Sequence, residues 1–288
     1  MKKQIALAVF LAILAAPLTA ASNYASLTDE ERQKLLEEHY ARALQSFNDA
    51  DYSRAISYWQ KILEIDPEQA APPGLIKQAR EKLSAQLGPN EKELRLVLEA
   101  GQYDAALKKT ENLSGLDPSN QRYKLLKTKL ENIVEVKPAE TGTGKAARLI
   151  RKGLSAYLAD TEDPRLALNA LRYARDINPQ DPSTTRLVGY METQYPDVAK
   201  KETVAPGMSV TENKLFIALN NIYEGRYDLA VLACNEVLEL EPDNVLALKR
   251  KGSAYFALNQ KDKAREIWAL ALKITPNDAE IKKFLASK

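Results

Sequence analysis

The 288-residue sequence holds one cysteine, Cys234, and one histidine, His39. A lone thiol excludes an internal disulfide, so the fold has to rest on packing alone. One histidine and one cysteine also cannot assemble a zinc-type metal site, and no cofactor is expected. Glycine (11) and proline (14) are sparse and no long polar tract occurs, which excludes collagen-like and low-complexity chains. Net charge is nearly missing too, with 41 Lys and Arg against 39 Asp and Glu. Interleaved signs without an excess leave no electrostatic footprint for nucleic acid or for an anionic membrane surface.

Long apolar runs are absent apart from one. Lys2 and Lys3 lead a run from Ile5 to Ala16, followed by Pro17-Leu18-Thr19-Ala20-Ala21. The run falls short of the roughly 20 residues a transmembrane helix needs, and Pro17 would interrupt such a helix. The pattern predicts a Sec-type signal peptide over residues 1–21, cleaved after Ala20 or Ala21, and so a periplasmic or secreted protein. Loss of Lys2 and Lys3 leaves 39 basic against 39 acidic residues. No cysteine follows the peptide to accept a lipid anchor, and no integral membrane segment is expected after cleavage.

What the chain does have is a repeat. Five segments place an alanine twelve residues before a proline: Ala55 to Pro67, Ala106 to Pro118, Ala167 to Pro179, Ala230 to Pro242 and Ala264 to Pro276. Two residues before each proline stands Ile65, Leu116, Ile177, Leu240 or Ile274. Twenty-four before it, four segments carry a small residue, namely Ala43, Ser155, Ala218 and Gly252, while the second has Leu94. Small residues at both offsets predict antiparallel helices crossing closely. Between them lie Ala50-Asp51-Tyr52, Gly101-Gln102-Tyr103 and Gly225-Arg226-Tyr227, where glycine supplies left-handed turn geometry. In the third segment Thr161-Glu162-Asp163-Pro164 takes the place of that turn.

This register resembles the tetratricopeptide repeat family, whose unit has small residues at its helix contacts and a closing proline. The resemblance covers roughly residues 35–286, strongly in the first, fourth and fifth units. It implies an all-α fold, an α-solenoid of helical hairpins. The array is irregular, because only the last two prolines are 34 residues apart, and the gaps predict extra helices over Ala71–Leu87, Asn120–Glu135 and Ser183–Gln194. Thr28 with Glu31, and Ser209 with Glu212, fit capping boxes that open helices. Val136–Lys145 and Tyr195–Met208 lack apolar periodicity and read as joints. The expected organisation is an N-terminal module over 22–136, a linker over 137–146 and a C-terminal module over 147–288, with a softer joint at 195–208. A capping segment, Asp278–Ala286, turns Ile281 and Phe284 inward and Lys282 and Lys283 outward.

The inventory for chemistry is thin, and no enzyme is expected. His39 sits at a packing position, and Cys234 takes the register place of Trp59, Leu171 and Trp268, which predicts a buried, inert thiol. Gly142-Thr143-Gly144-Lys145 lacks the glycine at Ala139, the hydroxyl at Ala146 and the preceding strand that a phosphate-binding loop requires. Asn112-Leu113-Ser114 matches a glycosylation acceptor by chance, inside a predicted helix.

By the resemblance, the first helix of each unit lines a concave groove that holds partners. The corresponding residues are Tyr40, Leu44, Phe47 and Asn48 in the first unit, Leu215, Leu219, Ile222 and Tyr223 in the fourth, and Lys249, Ser253, Phe256 and Ala257 in the fifth. The competing reading is that many of them pack against neighbouring hairpins. Some relatives bind a chain-terminal carboxylate through groove lysines and asparagines; Lys249 fits one such position, but Tyr40 and Leu44 replace the others in the first unit. The chain is therefore expected to be an exported interaction scaffold that takes a peptide or partner helix within a bacterial envelope assembly, secretion or motility complex. The alternative is a periplasmic glycan- or peptidoglycan-binding protein, from the stacking capacity of thirteen tyrosines.

Overall fold

A computed structural model describes Tyr24 and residues 26–286, and among these the chain is all-α, built of antiparallel helical hairpins. The predicted signal peptide lies outside the described residues. Two compact units emerge, the first taking residues up to 94 together with 108–125, the second taking 95–107 and 126 onward.

The first unit opens with the hairpin α1 (Asp29–Asn48) and α2 (Tyr52–Ile65). Thr28 and Glu31 form the expected capping box: the Glu31 amide donates to Thr28 Oγ1 at 3.2 Å and the Thr28 amide to Glu31 Oε2 at 2.8 Å. Ala43 and Ala55 are fully buried where the helices cross, beside Trp59 and Ile62. The turn needs a left-handed residue and the sequence offers Ala50, which takes φ 59°. The third helix, α3 (Ala71–Glu99), adds Ile76, Ala79 and Leu83 to this core.

Here the structure corrects an expectation. Ala71–Leu87 does not end before Gly88-Pro89 but continues as one 29-residue helix through Pro89. An interior proline costs a helix about 3 kcal/mol because it lacks an N–H and crowds the carbonyl four residues back. The Asn90 side chain donates to the Gln86 carbonyl at 2.9 Å, supplying a hydrogen bond across the proline turn. Buried Leu83 and Leu94 lie on either side of the proline.

Helices α4 (Tyr103–Leu116) and α5 (Gln121–Val136) follow. In the second unit, Gly101 at φ 73° lies so close to the chain after α5 that a Cβ there would stand 2.4 Å from the Glu140 carbonyl oxygen. That segment is held by backbone bonds from Asp104 to Pro138 and from Glu140 to Gly101, at 3.0 and 2.8 Å. Lys137 adds ion pairs to Glu140 and Asp181.

The third hairpin, α6 (Lys145–Leu158) and α7 (Pro164–Ile177), is followed by α8 (Pro182–Gln194) and the short α9 (Pro196–Lys201). Its crossing differs from the sequence register. Ser155 is exposed, and the close approach falls at Gly153, where a Cβ would meet the Ala167 carbonyl oxygen at 2.9 Å. The turn explains the shift. Residues 159–163 make a five-residue connection, two longer than the three residues 224–226 in the next hairpin, so the crossing moves back by two positions. Asp163 caps α7 by accepting from the Leu166 amide at 2.9 Å.

The fourth and fifth hairpins, α10 (Val210–Tyr223) with α11 (Tyr227–Leu240) and α12 (Val245–Ala257) with α13 (Lys261–Ile274), stack through apolar side chains, and α14 (Ala279–Ala286) closes the stack. Ile281 is fully buried and Phe284 stacks on Trp268 at 4.9 Å, as the capping reading predicts. The third and fourth hairpins meet differently, through charge: Arg165 pairs with Glu239 at 2.8 Å and Glu236 at 3.7 Å, and Lys145 with Glu241. Glu202, after α9, adds a bridge, accepting from Asn169 on α7 at 2.7 Å and pairing with Lys214 on α10 at 2.6 Å.

Candidate functional site

Leaving aside Leu44, Leu215 and Ala257, the residues of the expected groove divide between the units. Tyr40, Phe47 and Asn48 belong to the first. Tyr40 donates to Gln69 Oε1 at 3.1 Å, Phe47 packs edge-on against Tyr52 and tilted against Trp59, and Asn48 is exposed. The Lys82 ammonium covers the Phe47 ring at 5.7 Å. Two of these three side chains therefore serve their own hairpin.

The other six lie on α10 and α12, the first helices of consecutive hairpins. Ile222 packs with Ala230, Val231 and Ala254, and Leu219 is half-buried. Tyr223 is 79% exposed at the end of α10. On α12, Phe256 is 36% exposed and leans on Trp268 at 5.8 Å, with the Lys261 ammonium 5.8 Å from its centroid. Lys249 is not an open groove cation: it pairs with Asp278 at 3.1 Å and with Glu280. The hydrogen bond to Glu280, opposed by burial and aided by Asp278, raises its pKa. Ser253 donates to the Lys249 carbonyl at 3.1 Å. The open part of the face is aromatic, at Tyr223 and Phe256.

Sequence reading missed the cations around these rings. Arg250 donates to the Leu215 carbonyl at 2.7 Å, tying α12 to α10, with Tyr223 in electrostatic reach. Lys251 and Lys263 both stand over Tyr255, at 5.9 and 5.6 Å from its centroid. A signal was available in the sequence: residues 245–274 hold seven Lys and Arg against two acidic residues.

The groups of catalytic potential sit elsewhere. Cys234 is fully buried, and burial pushes its thiol up to about 12, opposed by the nearby cations Arg250 and Lys251. His39 rests on Tyr58 at 5.7 Å, and its pKa is lowered first by burial and then by Lys61. Among the described residues no group of three His, Cys, Asp or Glu side chains is placed to hold a metal ion, and no helix is long and apolar enough to cross a membrane.

Residues 222–287, which run from the end of α10 through α14, match the family model described as tetratricopeptide repeat. Mouse DnaJ homolog subfamily C member 3 is 25% identical over 273 residues, covering 85% of this chain and 44% of the relative. The human zinc finger C3H1 domain-containing protein is 38% identical over 65 residues, 23% of this chain and 3% of that protein. The chain thus spans less than half the length of these relatives. Among solved structures, the P58(IPK) TPR domain aligns over 90% of this chain and 68% of its own, at 20% identity and a TM-score of 0.25. The MamA protein aligns over 86% and 96% at 16% identity and a TM-score of 0.21. At scores this low neither alignment bears on the architecture, which rests on the helices and contacts above.

Proposed function

We propose that this chain, whose residues 222–287 carry the tetratricopeptide repeat match, is an exported, non-enzymatic scaffold that holds a peptide or partner helix on the α10 and α12 face. Tetratricopeptide repeats in general are non-catalytic protein-interaction scaffolds. The observation that carries the reading is the pair Tyr223 and Phe256, aromatic side chains left open at register-related ends of α10 and α12, the first helices of two consecutive hairpins, which also expose Phe216, Ile217 and Leu246. Rigid aromatic anchors are what binding hot spots use. The apolar run after Lys2 and Lys3 supports export, and with it a place in a bacterial envelope assembly, secretion or motility complex. The glycan-binding alternative draws nothing from Trp59 and Trp268, which are both buried.

The test is affinity capture from an envelope extract of the native host, comparing wild type with the double variant Tyr223→Ala/Phe256→Ala. The reading expects a protein retained by the wild type and lost from a variant that keeps its helical content. Equal retention by both forms would remove the α10 and α12 face from the proposal.

A further inference from the structure

The fifth hairpin is electrostatically unlike its neighbour. Residues 245–274 hold seven Lys and Arg against two acidic residues, whereas residues 210–240 hold two against five. Two of the seven are neutralised within the fold: Lys249 by Asp278 and Glu280, and Arg265 by Asp262 at 3.7 Å. Among the described residues Arg250, Lys251 and Lys263 have no carboxylate in an ion pair. Their contacts are the Leu215 carbonyl for Arg250 and the Tyr255 ring for both lysines.

This placement works against the stability of the hairpin. Two ammonium groups from different helices converge on one ring, and Lys261 and Lys263 stand in the first turn of α13, where the positive end of the helix disfavours cations. That helix also starts without a side-chain cap at Gln260. Burial lowers the pKa of Arg250 and of Lys251, opposed only by Cys234 and, for Arg250, by Tyr223 rather than by a carboxylate. An external anion would relieve each of these costs together. The open aromatics have cations of the same hairpin beside them: Phe256 has Lys261 5.8 Å from its centroid, Tyr223 is in electrostatic reach of Arg250, and Tyr255, which carries Lys251 and Lys263, is next to Phe256 in the chain.

We infer that the occupant of this face is an acidic segment of a protein partner, with side-chain carboxylates on Arg250, Lys251 and Lys263 and an apolar side chain against Tyr223 and Phe256. The inference rests on the scaffold reading and names the chemistry of its partner. Internal glutamates and aspartates satisfy the arrangement without a free chain end, because the cations spread over two helices rather than around one point.

Fluorescence anisotropy tests it with the full chain and a fluorescein-labelled, carboxy-terminally amidated peptide of glutamates and leucines. The wild type should bind it, and should bind the lysine and leucine analogue at least on the order of tenfold more weakly. Affinity should fall on the order of tenfold in Lys251→Gln/Lys263→Gln, checked for helical content by circular dichroism, and comparably between about 50 and about 300 mM salt. The salt titration needs no variant and stands if the double substitution does not fold. Equal binding of the two peptides, or affinity indifferent to salt, overturns the inference. So does a labelled DNA duplex that binds as tightly and is lost in the same variant, since that would make the face a general polyanion surface. If the peptide fails while the Tyr223 and Phe256 capture succeeds, the acidic assignment falls and the scaffold reading stands; if both fail, the reading beneath falls too.

Discussion

Gly252 and Trp268 are packed so closely across the fifth hairpin that a Cβ on Gly252 would lie 2.2 Å from Trp268 Nε1. The indole cannot easily withdraw, because its Nε1 donates to the Lys249 carbonyl at 3.2 Å and Phe284 is stacked on its ring. The smallest residue at the helix crossing is thus what lets the tryptophan fill the core between α12, α13 and α14.

Gly252→Ala is therefore expected to destabilise the C-terminal hairpin by about 1–3 kcal/mol, the usual cost of overpacking. Hydrogen exchange of peptides from α12 to α14 reads this directly, and the amides should lose protection there while α1 and α2 keep theirs. Unchanged protection would mean that the crossing is looser than described.

Ala50 gives a prediction of the opposite sign. A non-glycine residue at φ 59° carries roughly 1–2 kcal/mol of steric cost, which glycine avoids at some expense in backbone entropy. Ala50→Gly should stabilise the α1 and α2 hairpin by about 0.5–1 kcal/mol, seen as slower exchange of its amides. Asn259 holds the same conformation in the fifth hairpin, where asparagine tolerates it better.

These positions show how much the sequence made legible. The alanine and proline register located all five buried crossings on the second helices, since Ala55, Ala106, Ala167, Ala230 and Ala264 are fully buried. Both capping boxes and the inward Ile281 were readable because they depend on neighbours within a turn or two of helix. The Gly153 crossing was not, because the register assumed a three-residue turn and the third hairpin has five. Nor was the continuous α3, where Gly88-Pro89 is locally a helix breaker and the rest of the helix outweighs it. For the candidate site, Tyr223 and Phe256 could be named by register, but the engagement of Lys249 depends on where α14 lands, 29 residues away. Long-range ion pairs such as Arg165 with Glu239 leave no local trace.

The charged contact between the third and fourth hairpins predicts a pH and salt dependence. Burial works against ionised Glu202, but hydrogen bonds from Asn169 and Lys214 outweigh it and hold its pKa below the ordinary 4.5. A lowered carboxylate pKa contributes stability above 4.5 that disappears as the pH falls through the lowered value. Exchange protection of α7, α10 and α11 should accordingly fall on acidification below about pH 4.5 and at high salt. Glu202→Gln should flatten part of the pH response; an unchanged profile in that variant would assign the response to other carboxylates.

The central claim is that partners are held by the α10 and α12 face, and site-specific photocrosslinking in the native host tests it most directly. Benzoylphenylalanine is placed at position 223 or 256, and for comparison at position 232 on α11, where Leu232 is also exposed. The account predicts a shared crosslinked protein from positions 223 and 256 and none from 232. Crosslinks from 232 alone, or the same product with equal yield from all three, would contradict it.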